Sequence, residues 1–209
     1  MKILVLVLAR GGSKRLKKKN IIKLKNKPLI FWTIKFARKL PYVASILVST
    51  DDKKIANFAK LHKAFVPWLR PKVLSRDKIS SASAALHALK WYENHVQQVD
   101  GMLLLQPTSP FRNLKIFKKI INSYKKNFNK NYISVSKSKS FNISKNFKKN
   151  NNIRNNYIPN GCFYLISPKK FKKFKTFTPK DSIGVILKNK KEQIDIDYKS
   201  DLEFAKSFI

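Results

Sequence analysis

Apolar residues fall along this chain in two kinds of run. Ile3 to Leu8 (ILVLVL), Ser45 to Ser49 (SILVS) and Met102 to Leu105 (MLLL) are nearly continuous, with no polar alternation and far too short to span a membrane. Such runs read as strands buried on both faces, the mark of a parallel sheet covered by helices. Shorter strands are expected near Ala64–Val66, Tyr132–Val135, after a tight turn at Asn160–Gly161 and over Ile183–Leu187. Between them the apolar positions recur every three to four residues. Ile30, Ile34, Ala37 and Leu40 follow Pro28; Ile55, Phe58 and Ala59 follow Asp52. Further helices present Ala85, Leu89, Tyr92 and Val96, then Leu114, Phe117, Ile121, Tyr124 and Phe128, and finally Leu202, Ala205 and Phe208. Strands alternating with helical stripes predict one α/β domain over residues 1–209.

Loops leaving the C-terminal ends of such strands are where open α/β sheets bind ligands. The first one is Ala9 to Asn20, ARGGSKRLKKKN. Gly11 and Gly12 let backbone approach a ligand closely, Ser13 adds a hydroxyl, and Arg10, Lys14, Arg15 and Lys19 bring positive charge. A polyphosphate is the natural guest, although a glycine pair after a strand also serves as a plain turn and lysine runs as solvated surface. Neither Gly-x-Gly-x-x-Gly nor a Gly-Lys-Ser/Thr ending is present. Gln106, at the turn Gln106–Pro110, is expected on the same sheet edge as this loop. Arg70, framed by Pro67 and Pro71, has restricted backbone freedom that suits a side chain meeting a base or phosphate in one pose. Ser81 or Ser83 is either a ligand contact or the cap of the next helix. In a chain so poor in acids, Asp195, Asp197 and Asp201 stand within seven positions. On an extended segment Asp195 and Asp197 face the same way and together fit one hard cation, whereas Asp201 fits the cap of the last helix.

Composition changes this picture in one respect. The chain carries 46 Lys and Arg against 11 Asp and Glu, a net charge of +35, which ordinarily points to nucleic acid. The excess is mostly lysine with abundant asparagine, spread over helix faces, and both residues are specified by A-rich codons. No zinc-finger spacing, leucine zipper or RNP motif accompanies it, so weak non-specific nucleic-acid binding is the expectation rather than a specific partner. The single Cys162 forms no internal disulfide, in keeping with a reducing, cytoplasmic setting. Residues 137–156 are basic, rich in turn formers and nearly free of aliphatics.

The wording of these segments resembles the CMP-sialic acid synthetases (acylneuraminate cytidylyltransferases). Ala9-Arg10-Gly11-Gly12-Ser13-Lys14 followed by Lys19-Asn20 matches their first motif. Leu69-Arg70-Pro71 with Leu74-Ser75-Arg76-Asp77 and the serine cluster at Ser80–Ser83 matches the second. Leu104-Leu105-Gln106-Pro107-Thr108-Ser109-Pro110 matches a third, Pro159-Asn160-Gly161 stands where the family has the same words, and Asp195-Ile196-Asp197 matches its metal motif. The resemblance implies a three-layer Rossmann-like nucleotidyltransferase fold with a mostly parallel sheet and a small β extension. It implies cytidylyl transfer from CTP to a sialic-type sugar acid. Arg10, Gly11, Gly12, Ser13, Lys19, Asn20, Arg70 and Ser81 would hold CTP, with Arg10 and Lys19 countering charge. Gln106 would face the sugar, and Asp195 and Asp197 would carry Mg²⁺. Legionaminate, pseudaminate or 3-deoxy-manno-octulosonate are alternative acceptors, and a degenerate relative is the alternative to an active enzyme. Family members form homodimers through an arm that brings cations toward the sugar carboxylate; residues 137–156 match that arm poorly. No histidine or glutamate stands out as general base.

Overall fold

A computed structural model describes residues 1–137 and 157–209, so all but Lys137 of the basic 137–156 segment lies outside the described residues. Eight strands and six helices are described: β1 (Ile3–Leu8), β2 (Lys23–Leu24), β3 (Lys27–Pro28), α1 (Leu29–Ala37), β4 (Val43–Ser49), α2 (Lys53–Leu61), α3 (Ser81–His95), β5 (Gly101–Leu104), α4 (Leu114–Lys126), β6 (Tyr132–Lys137), β7 (Tyr157–Ile166), α5 (Pro168–Phe174), β8 (Ile183–Ile186) and α6 (Lys199–Lys206). Six of the strands form one sheet in the order β4-β1-β5-β7-β6-β8. β1 runs parallel to both β4 and β5, and β6 runs parallel to β8; only β7 is reversed, antiparallel to β5 and β6. The sheet is thus mostly parallel, as the unbroken apolar runs predict.

Why those runs lack alternation is visible in β1. Ile3, Val5 and Val7 point into a cluster with α1, α2 and α4, whereas Leu4 and Leu6 point into a second one with Ala85, Ala88, Leu89 and Tyr92 of α3 and Phe171 of α5. Helices cover both faces, so both faces must be apolar. A third, smaller cluster lies off the sheet: Leu24 and Leu29 from the β2–β3 hairpin and its exit meet Ile194, Ile196, Leu202 and Ala205 from the C-terminal region. The hairpin itself is a two-residue turn with Lys25 at φ 47° and Asn26 at φ 59°, the backbone signs of a type I′ connection.

Helix starts follow local chemistry. Asp52 Oδ1 accepts from the amides of Lys54 and Ile55 at the head of α2, Asn113 caps α4, and Ser167 caps α5 with Pro168 in its first turn. The cap of α3 is Ser80, whose Oγ accepts from the Ser83 amide, rather than Ser81 or Ser83. Three expectations need correction. Ala64–Val66 makes only an isolated bridge, Leu47 to Phe65, because Pro67 lacks the amide that would extend it. Val96 and Phe128 lie past the ends of α3 and α4 and are 48% and 39% exposed instead of packed inward. Asn160-Gly161 is no hairpin turn; it sits inside β7, at the register shift where β7 passes β6.

Candidate active site

The loop after β1, the turn after β5 and the C-terminal Asp-Ile-Asp converge on one cleft of about 640 Å³. The third apolar cluster brings them there: Ile194 and Ile196 are buried against the hairpin that follows the first loop, which turns the alternate residues Asp195 and Asp197 into the cleft. The Ile196 amide donates to the Thr108 carbonyl at 2.8 Å, tying the segment to the turn after β5.

Two of the carboxylates lining the cleft each pair with two of its cations. Asp197 accepts from Lys19 Nζ at 2.5 Å and from Arg15 Nη1 at 2.6 Å. Asp77, from the other wall, accepts from Arg10 Nη1 at 2.7 Å and Lys14 Nζ at 2.8 Å. Burial pushes the Asp195 carboxyl up from the usual range, the Thr108 hydroxyl pulling against it and Asp197 adding to it. Its Oδ1 is buried with no hydrogen-bond partner. A buried carboxylate oxygen without a donor, two positions from a second carboxylate on the same wall, suits an oxygen-seeking cation. Among the described residues no third acidic, His or Cys ligand joins them, so such a cation would complete its shell with substrate oxygens and water, the usual habit of Mg²⁺.

Of the residues singled out in the sequence, Arg10, Ser13, Lys19, Asn20, Arg70, Ser81, Gln106, Asp195 and Asp197 all line this cleft. Gly11 and Gly12 do not. The Gly11 amide donates to Asp51 Oδ1 at 2.9 Å, and a Cβ on Gly11 would stand 2.9 Å from Asp52 Cβ. Gly11 therefore lets the loop pack against the head of α2, and its amide is committed to Asp51. Asn20 also spends part of its amide on the loop itself, donating to the Arg10 carbonyl at 2.8 Å. Arg70 lines the cleft from a nearly buried position, with Nη2 on the Ser49 carbonyl at 2.5 Å and Nε unpartnered. Asp201 is not the cap itself, which is Tyr198; it stands at the third helical position and reaches back to accept from the amides of Asp197 and Tyr198.

Two contributors escaped the sequence reading. Gly161, at φ +80°, is where β7 passes the turn that carries Gln106, and a Cβ there would be 2.8 Å from Gln106 Oε1 and 3.5 Å from Asp195 Oδ2. Arg112 fixes that turn from behind, donating to the Gln106 carbonyl at 2.5 Å, to Thr33 Oγ1 and to the Cys162 carbonyl. An Asn-Gly pair and an arginine near a Pro-rich turn were the only signals, and neither reveals which distant residue it touches.

Comparison with known proteins bears on the family and the fold. A cytidylyltransferase family model matches residues 4–208. The chain is 33% identical to the CMP-N,N'-diacetyllegionaminic acid synthase of Legionella pneumophila, over 94% of this chain and 91% of that one. It is 31% identical to the pseudaminic acid cytidylyltransferase of Campylobacter jejuni, over 99% and 95%. The solved structure of CMP:2-keto-3-deoxy-manno-octonic acid synthetase complexed with CTP shares the fold, with a TM-score of 0.73 at 14% identity over 100% of this chain and 98% of that one. With the family model matched over nearly the whole chain and these relatives matched from end to end, the chain belongs to the cytidylyltransferase family, in its CMP-sialic acid synthetase branch.

Proposed function

We propose that the protein transfers the cytidylyl group of CTP to the anomeric hydroxyl of a nonulosonic acid, releasing pyrophosphate and an activated sugar for glycan assembly. The relatives named for legionaminate and pseudaminate support that substrate class. The observation that carries the reading is the single cleft in which the cations of the first loop face the paired aspartates from the other end of the chain.

In this reaction the hydroxyl oxygen forms a bond to the α-phosphorus, the bond from that phosphorus to the bridging oxygen breaks, and the hydroxyl proton leaves to solvent. Positioning and charge neutralisation matter more than covalent chemistry. Arg10, Lys14, Arg15 and Lys19 exchange their carboxylate partners for phosphate oxygens. Arg70, Ser81 and Asn20 line the part of the cleft assigned to the nucleotide, and Gln106 orients the acceptor. Asp195 and Asp197 would hold Mg²⁺, which when bound neutralises phosphate charge and lowers the pKa of a nearby hydroxyl. A cytoplasmic setting is supported by the free, buried thiol of Cys162.

The test is pyrophosphate release from CTP and Mg²⁺ with N-acetylneuraminate, legionaminate, pseudaminate and 3-deoxy-manno-octulosonate in turn. One nonulosonate is expected to support turnover. Asp197→Ala is expected to lower it by roughly a hundredfold or more without changing the circular dichroism spectrum. Silence with every acid while CTP still binds would refute catalysis and leave a degenerate relative.

A further inference from the structure

Two adjacent acids, Asp51 and Asp52, follow the end of β4, and the start of α2 uses only the second. Asp52 Oδ1 takes both capping amides, those of Lys54 and Ile55, and the Asp52 amide donates to Thr50 Oγ1 at 3.1 Å. Asp51 is half-buried beside it and is not among the residues lining the cleft. Its carboxylate, partly out of water and unused by the helix cap, serves other partners.

Those partners are the two segments assigned to the nucleotide. The Gly11 amide donates to Asp51 Oδ1 at 2.9 Å and so fixes the first loop one position past Arg10. Arg70 reaches the same stretch of chain through backbone oxygens: its amide donates to the Thr50 carbonyl at 2.6 Å and its Nη2 to the Ser49 carbonyl at 2.5 Å. Ala9, at the head of the first loop, donates its amide to that Ser49 carbonyl at 3.0 Å. Ser49 and Thr50 are fully buried, so the anchor is itself held fast. Charge supplies a further tie. Burial pulls the Arg70 guanidinium below its ordinary value, the Asp51 charge opposes this, and the Arg10 charge adds to it. Two guanidiniums brought to one site repel each other, and a carboxylate beside them offsets that repulsion before any phosphate arrives.

We propose that Asp51 is a positioning residue for the nucleotide: from outside the cleft, its carboxylate holds the first loop and Arg70 in one arrangement across the end of β4. This rests on the reading of the cleft as a CTP site. Acting through residues that touch the ligand, Asp51 lowers the cost of ordering them when CTP binds.

The experiment is calorimetric titration of CTP into the full chain in EDTA, followed by initial rates in Mg²⁺ with the acid that supports turnover. Asp51→Ala is expected to weaken CTP binding about tenfold and to raise the KM for CTP alike. The KM for the acid and the melting temperature are expected to stay near the wild-type values, because the cap of α2 remains on Asp52. Asp51→Asn keeps an oxygen for the Gly11 amide but removes the charge facing Arg70, and its CTP affinity is expected to fall between those of the wild type and Asp51→Ala. CTP affinity unchanged in Asp51→Ala would overturn the inference. So would an Asp51→Asn as weak as Asp51→Ala, or a loss that raises both KM values together with a lowered melting temperature, the mark of a residue needed only for the fold. A wild type that binds no CTP would overturn the inference and the proposed function together. Asp51-dependent CTP binding without pyrophosphate release for any acid would uphold the inference and refute the transfer reaction alone.

Discussion

Four cations of the first loop, Arg10, Lys14, Arg15 and Lys19, are each paired with a carboxylate. Asp77 engages Arg10 and Lys14 together, and hydrogen bonds from Lys14 and then Arg10 hold its carboxyl below the usual range, so it stays charged at neutral pH. It is an internal competitor for the phosphates. Asp77→Asn is expected to lower the KM for CTP severalfold, a difference that shrinks as salt screens the exposed pair, measured by initial rates at two ionic strengths. A second residue-scale consequence concerns Cys162, whose thiol burial pushes up to about 11. Because the folded chain keeps this proton longer than the unfolded one, the associated stability is whole below the ordinary value of 9.0 and falls as pH climbs toward 11. Native protein at pH 8 is expected to resist a thiol-specific reagent that labels it at once in denaturant, and urea midpoints are expected to decline over that alkaline interval. Residue identities such as Arg10, Lys19, Asp195 and Asp197 could be picked from the sequence because their charge and spacing are unusual. The pairing of Arg10 with Asp77, 67 residues away, could not, since nothing local encodes it.

At the scale of elements, helix starts were the most legible feature. Capping is satisfied within three residues, so Asp52 announces the start of α2, and Asp201, three positions past the cap, still marks the start of α6. Asn160-Gly161 was misread for the complementary reason: the same pair serves a hairpin turn or a bulge, and only the partner strand decides between them. Here the bulge clears room for Gln106 Oε1 and Asp195 Oδ2. Gly161→Ala forces a side chain into both a positive-φ position and that space. The expected result is a melting temperature lowered by a few degrees, from strain of about 1–2 kcal/mol, together with a raised KM for the sugar acid and a nearly constant KM for CTP. Calorimetry and a two-substrate rate matrix separate the two effects.

Across the whole molecule the net charge of +35 invites a nucleic-acid interpretation, yet the site geometry spends its ordered cations on carboxylates lining one small-molecule cleft. Binding to random duplex DNA is expected at low salt and is expected to disappear by about 0.2 M, with no preferred sequence, in a fluorescence-anisotropy titration. No helix among the described residues is long and apolar enough to cross a membrane. The sequence by itself determined the layered α/β architecture, because a strand covered on both faces must be apolar at every position and a covering helix at every third or fourth. It also marked most of the charged and polar residues that line the cleft. What the tertiary structure decided is that they meet. Leu24 and Leu29 pack against Ile194 and Ile196, and that burial turns Asp195 and Asp197 toward Lys19. Periodicity within a segment is written locally, but contact between segments some 170 residues apart depends on which apolar surfaces remain uncovered once the sheet has formed, and only the folded chain settles that.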